Sequence, residues 1–305
     1  MTSLETLPAS WKITDVRRPH FKMVRLGWNS VHWFSLAELP EDEPLEELLP
    51  LLFDRSPAGV IIRGCKDDLA DKLNQYNFQK VFIGKEAILD LQAPHFEKRS
   101  LRELVRRGQR EGAVREISYS PLNQARINEL RRQSPHGAKP QLRHLLRTTF
   151  EADDRCFVFE MPDKTWKAAI TLSRSASGKI QTELLTRHIT AQPGSMETLI
   201  AHIFFKLKKE GFRYWSLGEA PFTDPEHRRR HLKERTVFWA GKLFNYAYNA
   251  RGLYNFKNKF NPLWKDVYLC GYPAVSFYTL WRLFHKSHFS RLAVQTILQK
   301  WAGNK

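Results

Sequence analysis

Apolar positions recur with two different periods along the chain. Met196, Leu199, Ile200, Ile203, Phe204 and Leu207 are spaced to fall on one face of a helix. Ser195, after Pro193 and Gly194, supplies an N-cap, and Gly211 supplies a stop. This stripe is core packing. Leu45, Leu48, Leu49 and Leu52 mark a second helix, entered through the acidic, Pro-containing segment Glu38 to Glu47. The β-branched run Gly59 to Arg63 (GVIIR) predicts a buried strand, Lys66 to Gln75 a helix, and Asn77 to Leu91 two short strands, QKVFIG and EAILDL. Strand, helix, strand, strand is the grammar of a compact α/β unit.

The second half repeats that mixture. Pro121 to Ser134 predicts a helix, and SPHGAKP after it a break. Phe157 to Glu160, Trp166 to Ser173 and Lys179 to Arg187 predict strands, the last two forming a hairpin through SASGK. FRYWSLG follows the long helix as a strand ending at Gly218. Phe238 to Tyr248 is aromatic and reads as helical. Ser276 to Trp301 reads as one amphipathic basic helix with Phe277, Leu280, Trp281 and Phe284 on its apolar face. Residues 1–35, with Trp11, Trp28 and Trp33, read as short strands. The fold class expected is α/β (α+β).

Charge narrows the function. The formal net charge of the 305 residues is +17, which favours nucleic acid, an anionic membrane or phosphorylated small molecules as partners. Cys65, Cys156 and Cys270 are odd in number and widely spaced, which fits neither a disulfide framework nor a zinc site and favours a reducing compartment. The N-terminus lacks the basic-then-apolar pattern of a signal peptide, and no apolar run reaches membrane-spanning length.

The candidate chemistry lies mainly in Arg251 to Cys270, RGLYNFKNKFNPLWKDVYLC. Read as extended chain, it puts Lys257 and Lys259 on one face and Phe256 and Phe260 on the other. Two adjacent ammonium groups gain most from an anion between them; the other reading is a solvated basic loop. Lys98 to Gly112 is a helix with a narrow stripe of Leu101, Leu104 and Val105, and it carries Arg99, Arg102, Arg106, Arg107 and Arg110. It bridges domains, faces an anion, or is solvated with Glu103 and Arg107 paired. Within it QREGAV approaches the acyl-CoA pyrophosphate loop but ends in Val114 where Gly or Ala is needed. Glu219 and Asp224 follow a strand end, where α/β sheets place ligands, or else are surface carboxylates. His227 and His231 have i,i+4 spacing, but without an HExxH arrangement no metal is expected. The amphipathic tail fits a membrane interface or the protein body equally well.

Four segments together resemble the C-terminal catalytic domain of the phosphatidylglycerol lysyltransferase family: NFQKVFIGKEAILDL, KRSLRELVRRGQREG, EGFRYWSLGEAPFT and, most specifically, RGLYNFKNKFNPLWKDVYL. The resemblance covers roughly residues 75 to 270. It implies tandem acetyltransferase-like (GNAT) subdomains: 1–95, a basic linking helix 96–118, 119–273, and then a C-terminal helix 274–305. It implies transfer of an amino acid from aminoacyl-tRNA to the headgroup hydroxyl of phosphatidylglycerol, with no cofactor, on the cytoplasmic side of a membrane. Lys257 and Lys259 would then meet phosphate or the developing oxyanion, Arg187 would place substrate, and Glu219 or Glu183 would hold the α-ammonium or act as base. Asp224, Arg251 and the arginines of the basic helix would bind substrate. The family's Asp-x-x-Arg is represented by Arg187, with Leu184 at the Asp position and Glu183 beside it. Two other classes remain open: a GNAT-type transferase with another donor, and a non-catalytic RNA- or membrane-binding module.

Overall fold

A three-residue parallel pairing occurs once in each half of the chain. His32, Trp33 and Phe34 of β3 (His32–Leu39) pair with Val60, Ile61 and Ile62 of β4 (Val60–Cys65). Lys179, Ile180 and Gln181 of β9 (Lys179–Arg187) pair with Tyr214, Trp215 and Ser216 of β10 (Tyr214–Pro221). Parallel neighbours need a long crossover, and a helix supplies each: α1 (Leu45–Arg55) and α5 (Ser195–Lys209). The computed structural model describes residues 7–302 apart from residues 29, 42, 138, 177, 225 and 227–230. The basic cluster at His227 to Arg230, with the His227/His231 spacing, therefore lies largely outside the described residues.

The remaining strands extend the repeat. β2 (His20–Arg25) lies antiparallel on β3 as β8 (Trp166–Ala176) does on β9. The central strands β5 (Gln79–Asp90) and β11 (Leu263–Tyr272) pair with each other, β11 also with β4 and β5 with β10. The order β2-β3-β4-β11-β5-β10-β9-β8 is thus a palindrome, extended beyond β8 by β7 (Arg155–Glu160) and β6 (Ala113–Ile117). The two halves of the sheet exchange their last strands, so a cut at residue 95 separates β11 from the strands it pairs with. β1 (Lys12–Ile13) joins β3 to β8 and ties the two sides together.

Helices cover the sheet where their apolar faces meet it. Leu45, Leu48, Leu49 and Leu52 of α1 and Leu69, Ala70 and Leu73 of α2 (Asp67–Gln75) form one core with Phe34, Ile62 and Phe82. The predicted stripe of α5 forms another with Trp215, Phe157 and Ile170. α3 (Arg99–Glu111) packs on α5 at Gly108, where a Cβ would stand 2.2 Å from the Thr198 hydroxyl; that hydroxyl donates to the Val105 carbonyl at 2.9 Å. α4 (Pro121–Arg132) is capped by the Ser120 hydroxyl, which accepts from Asn123 N–H at 3.1 Å.

Several elements differ from expectation. Asn77 to Leu91 holds one long strand, because Gly84 bends β5 under β10 without a turn; a Cβ there would lie 2.7 Å from the Ala220 carbonyl oxygen. The lysine stretch begins as helix α7 (Ala250–Asn258), capped by Asn249, whose side chain accepts from Gly252 N–H at 2.7 Å. Phe256 and Phe260 are four residues apart and pack 5.6 Å centroid to centroid, a helical spacing that the alternating reading overlooked. α6 (Leu232–Leu243) precedes it. The tail is two helices, α8 (Phe277–Lys286) and α9 (Phe289–Ala302), broken where His288 takes a positive φ of 65°. Among the described residues no helix is long and apolar enough to cross a membrane.

Candidate active site

Both parallel pairs part after three residues, and both inner strands carry a glycine at their fifth position. Gly64 has φ +89° and Gly218 φ +86°, each at a register shift in the pairing with the central strands. A bulge re-aims the side chains beside it. At the second bulge Glu219 is turned inward and is only 9% exposed. Arg63, on β4 immediately before Gly64, donates from Nη2 to Oε2 of Glu219. Oε1 of Glu219 is buried without a hydrogen-bond partner. The carboxylate is therefore half satisfied and has room for one further donor.

Lys257 reaches the same point from the last turn of α7. Its Nζ donates to the Glu219 carbonyl oxygen at 2.7 Å, and a Cβ on Gly218 would lie 3.4 Å from that Nζ. Burial lowers Lys257 to about 7, with Glu219 and Glu86 pulling the other way. Tyr248 is partly buried nearby, and its phenol is pushed up to about 12 by desolvation and then by the Glu219 charge.

A second layer of charge supports this group. Glu86 of β5 accepts from the Ser216 hydroxyl at 2.7 Å and lies 3.3 Å from Lys66 Nζ and 3.8 Å from Lys179 Nζ. Burial alone would raise Glu86; Lys66, Lys179 and Ser216 more than offset it and hold it at about 2. Burial and then the Lys66 charge lower Lys179 to about 8, against the pull of Glu86. Arg63, Lys66 and Lys179 thus outnumber Glu86 and Glu219, with Lys257 near neutrality beside them. A buried surplus of cations suits an anionic substrate.

Of the predicted residues, Lys257 and Glu219 come together. Lys259 does not join them, and the idea of two lysines sharing one anion is corrected. The helical turn sends Lys259 to Glu197 at 3.0 Å, over the Phe256 ring, with its side chain 46% exposed. Glu183 lies elsewhere: its Oε1 accepts from Ser173 Oγ at 2.6 Å and Gln181 Nε2 at 2.8 Å, and that Nε2 also donates to the Trp11 carbonyl at 2.7 Å. Burial raises Glu183 despite those donors. Leu184 points to the opposite face and packs with Ile127, Leu130, Phe150 and Trp166, as strand alternation requires. Arg187 is exposed at the end of β9, Arg251 is exposed on the first turn of α7, and Asp224 is buried just past β10. Arg99, Arg102, Arg106, Arg107 and Arg110 form the outer face of α3, Arg99 pairing with Glu103 at 3.1 Å.

The N-terminus of α5 is not open to an anion in the way a free helix end is. Ser195, Met196, Glu197 and Thr198 are all buried, and a Cβ on Gly194 would meet the Leu104 carbonyl oxygen of α3 at 2.3 Å. The QREGAV segment lies at the end of α3 and the start of β6. The carboxylates of Glu151, Asp153 and Asp154 cluster tightly, but the Lys12 ammonium fills their centre at 2.6, 2.9 and 3.4 Å. Arg63, Glu86, Lys66, Lys179 and Tyr248 were not anticipated as site residues. Each comes from a segment whose local pattern reports only strand or helix.

The palindromic α/β sheet with its paired glycine bulges describes the fold, and comparison with known proteins gives the family. The profile described as "Phosphatidylglycerol lysyltransferase, C-terminal" matches residues 40–271, and the chain belongs to that family. The phosphatidylglycerol lysyltransferase of Bacillus subtilis (strain 168) is 27% identical over 221 residues, covering 64% of this chain and 24% of that protein. The chain thus spans about a quarter of the length of that curated relative. Among solved structures, L-PGS from Bacillus licheniformis superposes with a TM-score of 0.70 at 18% identity, covering 88% of this chain and 85% of the other. A C-terminal domain of a putative lysylphosphatidylglycerol synthetase from Agrobacterium fabrum gives a TM-score of 0.67 at 21% identity, over 86% and 83%. At these identities the structures establish the fold.

Proposed function

We propose that the chain is an aminoacyl-tRNA-dependent lipid aminoacyltransferase, moving an amino acid to the headgroup hydroxyl of phosphatidylglycerol or a related anionic lipid at the cytoplasmic face of a membrane. Family membership and the cation surplus around Lys257 support it, since both substrates are polyanions. The observation that carries the reading is the free, buried Oε1 of Glu219 beside an amine whose pKa sits near neutrality.

In this reading Glu219, oriented by Arg63, accepts a hydrogen bond from the α-ammonium of the aminoacyl group. The lipid hydroxyl oxygen attacks the ester carbonyl carbon while the Lys257 amine takes its proton. The tetrahedral intermediate collapses by breaking the bond to the tRNA ribose oxygen, which takes that proton from Lys257. A pKa near the working pH suits a group that must both accept and return a proton. Lys66 and Lys179 add positive field for the oxyanion. The exposed arginines of α3 hold phosphates of tRNA by contacts that weaken with salt. Arg187, Asp224 and Arg251 act outside this centre, in substrate placement.

Lipid mass spectrometry on cells producing the chain or its Lys257→Met form tests the proposal. A new aminoacylated phospholipid that disappears in the variant is expected, and its mass identifies the amino acid. An unchanged lipid profile, with both proteins folded and abundant, would overturn it in favour of another acyl donor.

A further inference from the structure

The surface formed by α8 and the β2–β3 turn lies outside residues 40–271, and the catalytic reading leaves it unexplained. Along α8, Phe277, Tyr278 and Trp281 are 46%, 41% and 52% exposed, and His285 continues their line. Trp281 lies 6.0 Å from Tyr278 and 4.6 Å from His285, centroid to centroid, so the rings form one strip. The other face of α8 packs inward through Leu280, Leu283 and Phe284 against the cluster of Trp33, Val267 and Phe289. The helix is therefore fixed to the body, with its aromatic side turned out.

The turn after β2 continues the strip. Gly27 has φ +106°, and a Cβ there would stand 2.3 Å from the Tyr278 hydroxyl, so the tyrosine rests directly on the turn. Arg25 braces the turn from below, its guanidinium donating to the carbonyls of Gly27 at 3.1 Å and Trp28 at 3.3 Å. This brace presents Trp28 with 90% of its surface exposed. Trp28 alone would be ordinary, but joined through the Gly27–Tyr278 contact to the rings of α8 it extends an exposed apolar patch, the kind of surface that marks an interaction site.

Charge identifies the kind of partner. No Asp or Glu occurs between Asp15 and Glu38, nor anywhere after Asp266. Both segments that build the surface are thus free of carboxylates. Arg282 lies over the Trp281 ring at 5.6 Å. Burial, and then the charges of Lys22, Arg143, His288 and Lys286 around it, hold the His144 imidazole at about 4, so it stays neutral. α9 adds exposed Val294, Ile297 and Leu298. Exposed aliphatics have no use for stacked bases, whereas tryptophan, tyrosine and aliphatic side chains ringed by cations match the headgroup region of an anionic bilayer.

We propose that Trp28, Phe277, Tyr278 and Trp281, with the cations around them, are a docking surface that seats the protein on an anionic lipid bilayer. The inference deepens the lipid side of the proposed function, but it stands on this surface alone, and its deciding readout is vesicle binding. The full chain is sedimented with vesicles of phosphatidylglycerol and phosphatidylcholine, and with phosphatidylcholine vesicles alone, beside the double variant Trp28→Ser, Trp281→Ser. Both side chains are exposed, so the variant is expected to keep the circular dichroism and melting curve of the parent. The parent should bind the anionic vesicles, less so at high salt, and the variant should lose roughly tenfold or more of that partitioning. Equal binding by parent and variant, no binding by the parent, or loss of tRNA binding with vesicle binding intact would overturn the proposal. Transfer to micellar, short-chain phosphatidylglycerol should survive in the variant. Vesicle binding without any transfer would instead count against the catalytic reading and leave the docking surface standing.

Discussion

Gly64 and Gly218 occupy equivalent positions in the two halves of the sheet, and their surroundings show how one backbone device serves two ends. Each follows three parallel pairings and each takes a positive φ. At Gly64 the space is filled by main chain: a Cβ would lie 2.6 Å from the Ala9 nitrogen, and Ala9 N–H donates to the Gly64 carbonyl at 2.9 Å. Lys66 also donates to the Leu7 carbonyl at 2.9 Å. At Gly218 the neighbour is the Lys257 ammonium, 3.4 Å from the same constructed position, and the next residue is Glu219. The first bulge is closed by the N-terminal segment, and the second is left to titratable groups. The first half still contributes to the second site, because Arg63 crosses from beside Gly64 to hold Glu219.

The largest expected effect tests that difference directly. Gly64→Ala drives a methyl into backbone that cannot yield, on top of an unfavourable φ, and should cost about 3–5 kcal/mol of stability. Gly218→Ala meets only the Lys257 Nζ at 3.4 Å, an ordinary contact, so it should cost about 1–2 kcal/mol from the backbone alone. Urea midpoints of the two variants decide it. Equal costs would show that the two bulges are packed alike.

Arg63→Met should come next. It leaves the Glu219 carboxylate buried without its ion-pair partner, at a cost of about 3 kcal/mol. Adding Glu219→Gln to it should recover most of that stability, because the uncompensated charge is gone, but should not restore transfer. A double-mutant cycle on urea midpoints measures the coupling. Independent, additive losses would mean that Arg63 does not hold Glu219 in solution.

Lys257 gives a pH signature. Its folded value of about 7 lies well below the ordinary lysine value of about 10.4 in an unfolded chain. Below pH 7 both states carry the proton. Between those values the unfolded chain binds the extra proton, so this group makes the protein more stable as pH rises, by about 1.4 kcal/mol per pH unit at most. Lys257→Met should flatten that slope. In transfer assays the rising limb near pH 7 should vanish along with the activity, whereas a limb unchanged in a residually active variant would place the base elsewhere.

What the sequence disclosed follows the range of the forces involved. α5, the β8–β9 hairpin and the basic helix α3 are set by local period and turn chemistry, and they stand close to where those signals put them. Glu219 was legible as a carboxylate at a strand end. The palindromic sheet was not, because the pairing of β11 with β4 joins residues some two hundred positions apart and leaves no local trace. Arg63 was hidden for the same reason, being the end of a buried-strand pattern until β10 is placed opposite it. The break between α8 and α9 was missed because the apolar period continues across it, while His288 turns left-handed. In the lysine stretch the same residues fit two periods, and the Asn249 cap decided for the helix.

That last ambiguity also supplies the smallest expected effect. An extended chain would make Lys257 and Lys259 equivalent, whereas the helix buries the first and exposes the second. Lys259→Ala removes the half-exposed partner of the buried Glu197 carboxylate, at a cost of about 1 kcal/mol, between that of an exposed pair and that of a fully buried one. Its melting temperature should fall by only a few degrees, and its transfer rate should stay within about twofold of the parent, since less than half a kcal/mol in a barrier is about twofold in rate. Lys257→Met in the same assay should abolish transfer. If the two variants lose activity together, the side chains converge on substrate despite the turn of helix between them, and the Glu197 pair must open during the reaction.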